Sequence, residues 1–545
     1  MNREKIKNRF VRLFLSRPGL AAGAGVLILV LAIYARSLWF GYVNYDDGLI
    51  LSKRWIEYRQ LSWEGLVNMF SFMGMTSYQP LRHLALAVVY RLWGLDPFGY
   101  HLFNLLFYLL NIWVVFLLLR KLLVICGGFE NSRLLFWSWA GTAWFAVHPV
   151  HVESVAWMLS NKELLAGLFY FLALLSYLKS WERGFSTGQY LASWVFLALG
   201  MLSKPNVAAL PLVIIAFEVL FRRRDFDWKL FALRVVPFLA LVGTGAVYYI
   251  FYTSAFTGIL HGSLRIHSLS FASVLSKYVK LLLLPVNLCN SYPPPYFTGE
   301  YNYRLAIYLL VDLGIFTALA YALLKGRKAI AFAILFFLLN LLPVSGIFPI
   351  SIFMADRYLY LSSLGFILAG VVLLSGLRDS LRAGARARRW LALGGVSAVI
   401  ALTVLASVRC RDWKDGISLW GSAARTYPNF QFNHYALGVC LHRAGRLEEA
   451  LVSFQKTNMF HEHLLATYHI AKIMDEMGDS AAAEDYYSRV ARLYTKDVGE
   501  ERMLATVYER LGKPELAARV WLESGKKYLY LTDEVKNSVR QLMRG

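Results

Sequence analysis

Cysteine is scarce. The chain of 545 residues has four, Cys126, Cys289, Cys410 and Cys440. Their spacing is neither paired nor metal-like, so it argues neither for a disulfide framework nor for zinc. Acid is also short: 35 Asp and Glu face 57 Lys and Arg, a formal charge of +22. The surplus does not spread as a nucleic-acid surface would. The cations cluster between apolar runs, the positive-inside pattern of a membrane protein, so no nucleic-acid partner is expected. A small-residue cleavage site is missing after the basic stretch Met1 to Arg17. The apolar run that follows is long, so it reads as an uncleaved membrane helix and not a signal peptide. Beyond about residue 408 no apolar run is long enough to cross a bilayer.

What is present is hydrophobic: 57% of the residues, with 15% aromatic. That is too apolar for a soluble chain of this length. The expected fold is all-α in two regions. Residues 1–409 form a polytopic membrane domain with a large first outer loop at 41–100, and residues 410–545 form a soluble helical tail.

Arg3, Lys5, Lys7, Arg9, Arg12 and Arg17 precede the first apolar run, Gly19 to Phe40, and hold the N-terminus in the cytoplasm. Ten further helices follow at about 101–123, 134–147, 164–178, 190–202, 207–221, 230–252, 305–324, 331–342, 360–374 and 391–408. With about eleven spans, Arg120-Lys121, Arg222 to Arg224, Lys325 to Lys328 and Arg378 to Arg389 all fall inside and act as orientation charges. The short apolar stretch Val274 to Leu284 and the proline-rich Ser291-Tyr292-Pro293-Pro294-Pro295-Tyr296 read as an interfacial or re-entrant helix and a stiff outer loop. Trp55, Trp63, Tyr78, Trp93 and Tyr100 suggest short interfacial helices in the first outer loop, one of them opened by Pro80. An odd span count puts the tail outside.

The tail repeats. Gly438, Leu441, Gly445, Ala450 and Phe454 are echoed by Ala471, Met474, Gly478, Ala483 and Tyr487, then by Ala505, Tyr508, Gly512, Ala517 and Trp521. The period is that of a tetratricopeptide solenoid, with small residues where paired helices cross. Trp413 to Pro428 leads in, and a last helix, Thr532 to Met543, is expected to cap the stack. An irregular helical bundle is the plainer alternative.

One face of the membrane domain collects the ionisable residues: Asp46, Asp47, Arg82, His101, His148, His151, Glu153, Lys162, Glu163, Lys204, Asp356 and Arg357. Such groups at membrane depth are costly and usually functional, although about a third of them are expected to be interface anchors. A carboxylate there can take a proton from an acceptor hydroxyl. Arginine can hold a leaving phosphate through two hydrogen bonds, and lysine adds a point charge. His148-Pro149-Val150-His151-Val152-Glu153 could hold a divalent metal or form a hydrogen-bonded structural turn, and no fourth ligand is placed. No cofactor is otherwise implied. By itself the pair Asp46-Asp47 reads equally as catalytic acid or solvated loop charge.

Asn44-Tyr45-Asp46-Asp47, Ser77-Tyr78-Gln79-Pro80-Leu81-Arg82, Tyr100-His101-Leu102-Phe103-Asn104, His148 to Ser154 and Ala355-Asp356-Arg357-Tyr358-Leu359-Tyr360 resemble the transmembrane and tetratricopeptide-repeat O-mannosyltransferases. The likeness spans most of the chain, in the same domain order. It implies a multispanning glycosyltransferase of the C-type fold (GT-C) that inverts the sugar's configuration and uses a polyprenyl-phosphate sugar as donor. Asp46 and Asp47 become the acidic pair holding the base, with Asp47 favoured. Arg357, with Lys204 and Arg82, would bind the donor phosphate. His101, His148, His151, Glu153, Lys162, Glu163, Asp356 and Tyr292 would shape the substrate site. The chain departs from the family at Gln79, where arginine is common, and at Asp356, where glutamate is common. Its repeat array is also short.

These readings converge on a membrane glycosyltransferase moving a mannose-like or other hexose to a protein hydroxyl on the outer face, the repeats docking the acceptor. The expected setting is a bacterial inner membrane with periplasmic repeats. The alternatives are a lipid or polysaccharide acceptor, a lipid-linked saccharide transporter, and a scaffold. A transporter would want polar residues through the depth of the membrane. A scaffold would need one membrane helix and no acidic pair.

Overall fold

The computed structural model describes residues 17–48, 61–70, 78–129, 131–180, 182, 185–221, 227–253, 264–294, 303–345, 352–380, 385–494 and 500–523. Arg3 to Arg12, Trp55, Ser77, Arg222 to Arg224, Pro295, Tyr296, Arg382 and the capping helix expected at Thr532 to Met543 lie outside them, as do the side chains of Arg17, Arg388 and Trp521. Among the described residues every regular element is a helix.

The chain divides into Met1–Asp415 and Gly416–Gly545. The division falls past the 409/410 boundary read from hydropathy. The last apolar helix runs on to Asp412, and Trp413 is fully buried in the first unit.

All eleven apolar stretches are helical. Among the described residues seven helices are long and apolar enough to cross a membrane: Pro18–Trp39, Pro97–Cys126, Met158–Ser180, Trp228–Val247, Tyr303–Leu324, Asp356–Ser380 and Arg389–Asp412. Pro205–Phe221 and Lys328–Val344 are shorter apolar helices. Several expose their apolar side chains in stripes. Ala385–Asp412 presents Leu393, Val396, Ile400, Val404 and Val408, and Tyr303–Leu324 presents Ile307, Leu310, Leu313 and Leu324. In water such stripes would be a liability; in lipid they are the solvent-facing surface, because each helix satisfies its own backbone. The chain is an integral membrane protein on this ground.

Pro80 stands in the first turn of Pro80–Trp93, as its missing amide allows. Leu264–Leu283 extends well before Val274 and packs Val274, Tyr278 and Leu281 against Phe337, Leu341 and Leu359.

The second unit is built of antiparallel helix pairs. Gln431–Arg443 pairs with Leu447–Thr457, Leu464–Glu476 with Ser480–Leu493, and Glu501–Arg510 with Pro514–Glu523. The glycines of the repeat end the first helix of each pair in the left-handed region, with φ of 73° at Gly445, 82° at Gly478 and 65° at Gly512. An L side chain resists that conformation, so glycine recurs. Ala450, Ala483 and Ala517 are buried where the helices cross.

One crossing in the membrane unit tolerates no side chain. A Cβ at Gly365 would stand 2.6 Å from both the Ala333 carbonyl oxygen and the Phe337 amide nitrogen. Gly365→Ala should therefore lose about 1–3 kcal/mol of stability through overpacking. Gly376→Ala, in the same helix with open space around it, should be neutral or stabilising. Thermal melting of the two variants in detergent checks the contrast.

Candidate functional site

The site begins with the turn that follows the first helix. Phe40 leaves the helical end in an extended conformation, and the chain bends back through Asn44 and Asp46, both left-handed at φ 53° and 63°. Non-glycine residues hold that region at a cost of about 1 kcal/mol or more and concentrate at functional sites. Asp47 fastens the turn from inside. It is buried; one carboxylate oxygen accepts from the Val43 amide at 2.6 Å and the other from the Trp157 indole N–H at 3.3 Å. Asp46, beside it, is exposed.

Behind this turn lies the segment 148–160. Pro149 and the extended backbone at Trp157 break it into short helical turns, Pro149–His151, Val152–Ala156 and Met158–Ser160. Asn104 donates to the Trp157 carbonyl at 2.8 Å and to that of Val155 at 3.3 Å, satisfying backbone that these breaks leave open. Tyr45 packs on Trp157 with ring centroids 4.8 Å apart and reaches Trp413 at 6.2 Å.

Arg357 is buried at the centre of this assembly. Its guanidinium pairs with Glu153, its own amide donates to the second Glu153 oxygen at 3.1 Å, and its guanidinium donates to the Tyr45 hydroxyl at 3.3 Å. Glu163 lies 3.9 Å from Arg357 and 2.5 Å from Lys204. Burial lowers the Lys204 pKa, and the Glu163 carboxylate opposes that shift. Asp356 accepts from the Tyr292 hydroxyl and lies 3.6 Å from Arg409, which also pairs with Asp412 at 2.9 Å. The Tyr45 hydroxyl donates to the Asn290 carbonyl at 3.1 Å, so the loop around Cys289 is stitched to the same centre. The Gly41 amide donates to the Lys414 carbonyl at 3.0 Å, tying the acid turn to the end of the last apolar helix.

Two cations are left over. Among the described residues neither Arg82 nor Lys162 forms an ion pair. Arg82 donates to Gln79 at 3.2 Å, and its buried Nε lacks a partner. Burial brings its pKa down to about 10 against the attraction of Asp46 and Glu163. Lys162 lies over the Trp157 ring at 5.4 Å, within the field of Arg82, Arg357 and Lys204. Cations held without a direct ion pair can take an added anion.

The turn's carboxylates differ in character. Burial raises Asp47 to about 6, against the pull of its hydrogen bonds from Val43, Trp157, Asn44 and Tyr45. Buried among these donors, it holds the turn in place. Asp46 is exposed, and its charge acts on Arg82.

The structure brings together Asp46, Asp47, Arg82, Glu153, Lys162, Glu163, Lys204, Asp356, Arg357 and Tyr292. It turns the histidines away from them. His148 engages the Leu282 carbonyl at 3.1 Å through Nε2 and the Val150 amide through Nδ1. His151 engages the Phe145 carbonyl at 2.8 Å and Ser363 at 3.0 Å. Burial pushes the His148 pKa down to about 4. His101 is buried edge-on to Phe40. The metal reading of His148, His151 and Glu153 is therefore replaced by a structural turn, since Glu153 is committed to Arg357. Among the described residues no three His, Cys, Asp or Glu side chains are grouped as metal ligands. Sequence reasoning missed Trp157, Arg409 and Trp413. It followed charges at helix ends and overlooked the indole N–H that reaches Asp47.

No family model matches the chain. It is similar to protein O-mannosyl-transferases of animals. It is 24% identical to protein O-mannosyl-transferase TMTC3 of Homo sapiens over 88% of this chain and 56% of that one. It is 26% identical to TMTC1 of Homo sapiens over 80% and 54%, and 25% identical to F38B6.6 of Caenorhabditis elegans over 69% and 52%. The chain thus spans about half the length of the curated relatives it matches. Among solved structures, ArnT from Cupriavidus metallidurans bound to undecaprenyl phosphate aligns over 87% of this chain and 80% of that one, at 16% identity and a TM-score of 0.36. An overlap that loose carries nothing about fold or ligand.

The Arg357–Glu153 pair has a direct test. Glu153→Leu leaves the guanidinium buried without its main counter-charge and should cost about 3–5 kcal/mol. Glu153→Leu with Arg357→Leu removes both charges and should melt above the single variant. Melting curves of the single and double variants in detergent give the comparison.

Proposed function

We propose that the chain is an inverting membrane glycosyltransferase of the C-type fold. It moves a mannose-like hexose from a polyprenyl phosphate to a hydroxyl of a protein acceptor on the outer face. The observation that carries this reading is an exposed carboxylate, Asp46, within reach of the charge of Arg82, which like Lys162 makes no ion pair among the described residues. Asp46 attracts Arg82, and Glu163 acts on both cations. A phosphate leaving group needs such cations, and an attacking hydroxyl needs such a carboxylate.

Asp46 takes the proton from the acceptor hydroxyl, whose oxygen attacks the anomeric carbon from the face opposite the phosphate. The bond from that carbon to the phosphate oxygen breaks, and the polyprenyl phosphate leaves with its charge against Arg82, Lys162, Lys204 and Arg357. Of the acidic pair, exposure favours Asp46 for contact with substrate, and burial makes Asp47 the residue that positions the turn. This shifts the base from Asp47, favoured on sequence grounds. Glu153 and Glu163 hold Arg357 and Lys204 in register, while Asp356 and Tyr292 brace the Arg357 turn.

The helix pairs of the second unit fit a tetratricopeptide solenoid, and such a stack suits an extended acceptor. An eleven-span topology would place it on the same side of the membrane as Asp46, with the N-terminus cytoplasmic. In a bacterial inner membrane that side is the periplasm.

Transfer from labelled lipid-linked sugar, assayed in membranes, tests the assignment. Asp46→Asn should lower kcat by about 10²–10⁴-fold with little change in melting temperature. Undiminished transfer in both Asp46→Asn and Asp47→Asn would overturn the reading. The rate should also fall as pH drops through about 6, because protonating Asp47 weakens its hold on the turn. That acid limb should vanish in Asp47→Asn, whose pH profile is the check. Lys162→Gln and Arg82→Gln should each reduce kcat/KM for donor by about 10–100-fold while leaving the sugar product unchanged, as donor titrations will show.

A further inference from the structure

Four buried side chains around the Arg357 turn carry polar atoms that the fold leaves unused. Among the described residues, Arg409 Nε and Nη2, Asp356 Oδ2, Asn290 Oδ1 and Nδ2, and Trp413 Nε1 are buried without a hydrogen-bond partner. None of the four residues is more than 5% exposed. Buried polar atoms are costly when unpaired, so a group of them in one place calls for a partner.

The contacts around these atoms form a closed ring within the membrane unit. The Tyr45 hydroxyl donates to the Asn290 carbonyl at 3.1 Å, and the Tyr45 ring reaches Trp413 at 6.2 Å. Arg409 lies over Trp413 at 5.8 Å. Arg409 Nη2 stands 3.6 Å from Asp356 Oδ2, an attraction too long to be a hydrogen bond. Asp356 accepts from the Tyr292 hydroxyl through its other oxygen, and that hydroxyl accepts from the Cys289 amide at 3.1 Å, one residue before Asn290. The charges of Arg409 and Asp356 both act on Cys289. The loop is closely specified: Asn287 is left-handed at φ 59°, and the Cys289 thiol donates to the Ser291 carbonyl at 3.1 Å. Within it, only the Asn290 backbone is engaged by Tyr45, and its carboxamide stays idle.

Charge and donor balance define the ligand. Arg409 is matched by Asp412 at 2.9 Å and attracted by Asp356, so the ring holds no surplus positive charge and an anion has no advantage there. The idle atoms are mixed. N–H groups of Arg409, Asn290 and Trp413 can donate, and oxygens of Asp356 and Asn290 can accept. Hydroxyls do both, so a molecule with several hydroxyls satisfies both kinds. Tyr45, Trp157 and Trp413 pack with ring centroids 4.8 to 6.3 Å apart and supply flat apolar surface for the C–H face of a sugar ring.

We propose that Asn290, Asp356, Arg409 and Trp413 form a subsite for the hydroxyls of the donor's hexose. The proposal rests on the transferase reading and names the residues that recognise the sugar. Tyr45 precedes Asp46 and Asp356 precedes Arg357, so the subsite adjoins both the proposed base and a proposed phosphate ligand. Entry is past Ser291 and Tyr292, the half-buried residues of the loop.

The full chain in detergent, titrated with polyprenyl-phosphate mannose, polyprenyl-phosphate glucose and unglycosylated polyprenyl phosphate, tests it by native mass spectrometry. At least one glycosylated form should bind about ten-fold or more tightly than the bare phosphate. Asn290→Leu removes the idle carboxamide at similar volume. It should erase most of that preference, keep the affinity for bare polyprenyl phosphate, and leave the melting temperature of the ligand-free protein undiminished, because no hydrogen bond is lost. Trp413→Phe, which removes the indole N–H, should also reduce the preference. Arg82→Gln should weaken all three lipids alike. Equal binding of the three lipids by the unaltered protein, or an unchanged preference in Asn290→Leu, overturns the proposal and leaves these side chains to ordered water. So does early melting of ligand-free Asn290→Leu, which would mean that the carboxamide serves the fold. A sugar preference that Asn290→Leu erases, without transfer from the preferred lipid by the unaltered protein, would remove the transferase reading and keep the subsite.

Discussion

The membrane unit depends on one buried ion pair. Arg357 and Glu153 are both withdrawn from solvent, and each would be intolerable there alone. Their attraction fixes the start of the helix Leu359–Ser380 against the turn Val152–Ala156. Tyr45 then joins through the same guanidinium, and with it the acid turn. Glu163 and Lys204 extend the arrangement sideways. The result is a preorganised polar centre inside an apolar bundle, in which the direction of each charge is set before any ligand arrives. Preorganised charge of this kind is the main way proteins stabilise charge that develops during a reaction.

Much of the architecture was readable in advance. Every apolar stretch became a helix, because a run of apolar residues in lipid has few other ways to satisfy its backbone. The convergence of Asp46, Glu153, Lys162, Glu163, Lys204 and Arg357 was legible too, since all sit at apolar-run ends that the charge pattern assigns to one side. The partners within that cluster were not legible. Nothing in the order of residues says that Glu153 meets Arg357 and not Lys204, or that Trp157 turns its N–H to Asp47. The histidines misled for a related reason. Their spacing is compatible with a metal, yet each ring finds a backbone carbonyl in its own fold, and a buried neutral imidazole is stable there. The unlike fates of Asp46 and Asp47 were also hidden, because adjacent residues differ in exposure only through the turn between them.

The second unit shows the opposite balance. The spacing of Gly445, Gly478 and Gly512 follows from a backbone requirement, so sequence revealed it directly. A cleft between Gln431–Arg443 and Leu464–Glu476, from Tyr435 to Lys472, was invisible, because two helices build it together and neither shows it alone. Features that build a fold recur and can be counted. Features that use the fold are singular.

The bond from Gly41 to Lys414 links the two ends of the membrane unit in sequence. A chain inserted from its N-terminus exposes the acid turn first and synthesises the strap that closes on it last. The carboxylate pair is therefore present for most of biosynthesis without the frame that gives it shape. The centre cannot close until the last apolar helix has been made, and a product truncated before it would carry every acidic residue of the turn without that bond. Connectivity thus makes the far end of the membrane unit a requirement for the shape of the acid turn.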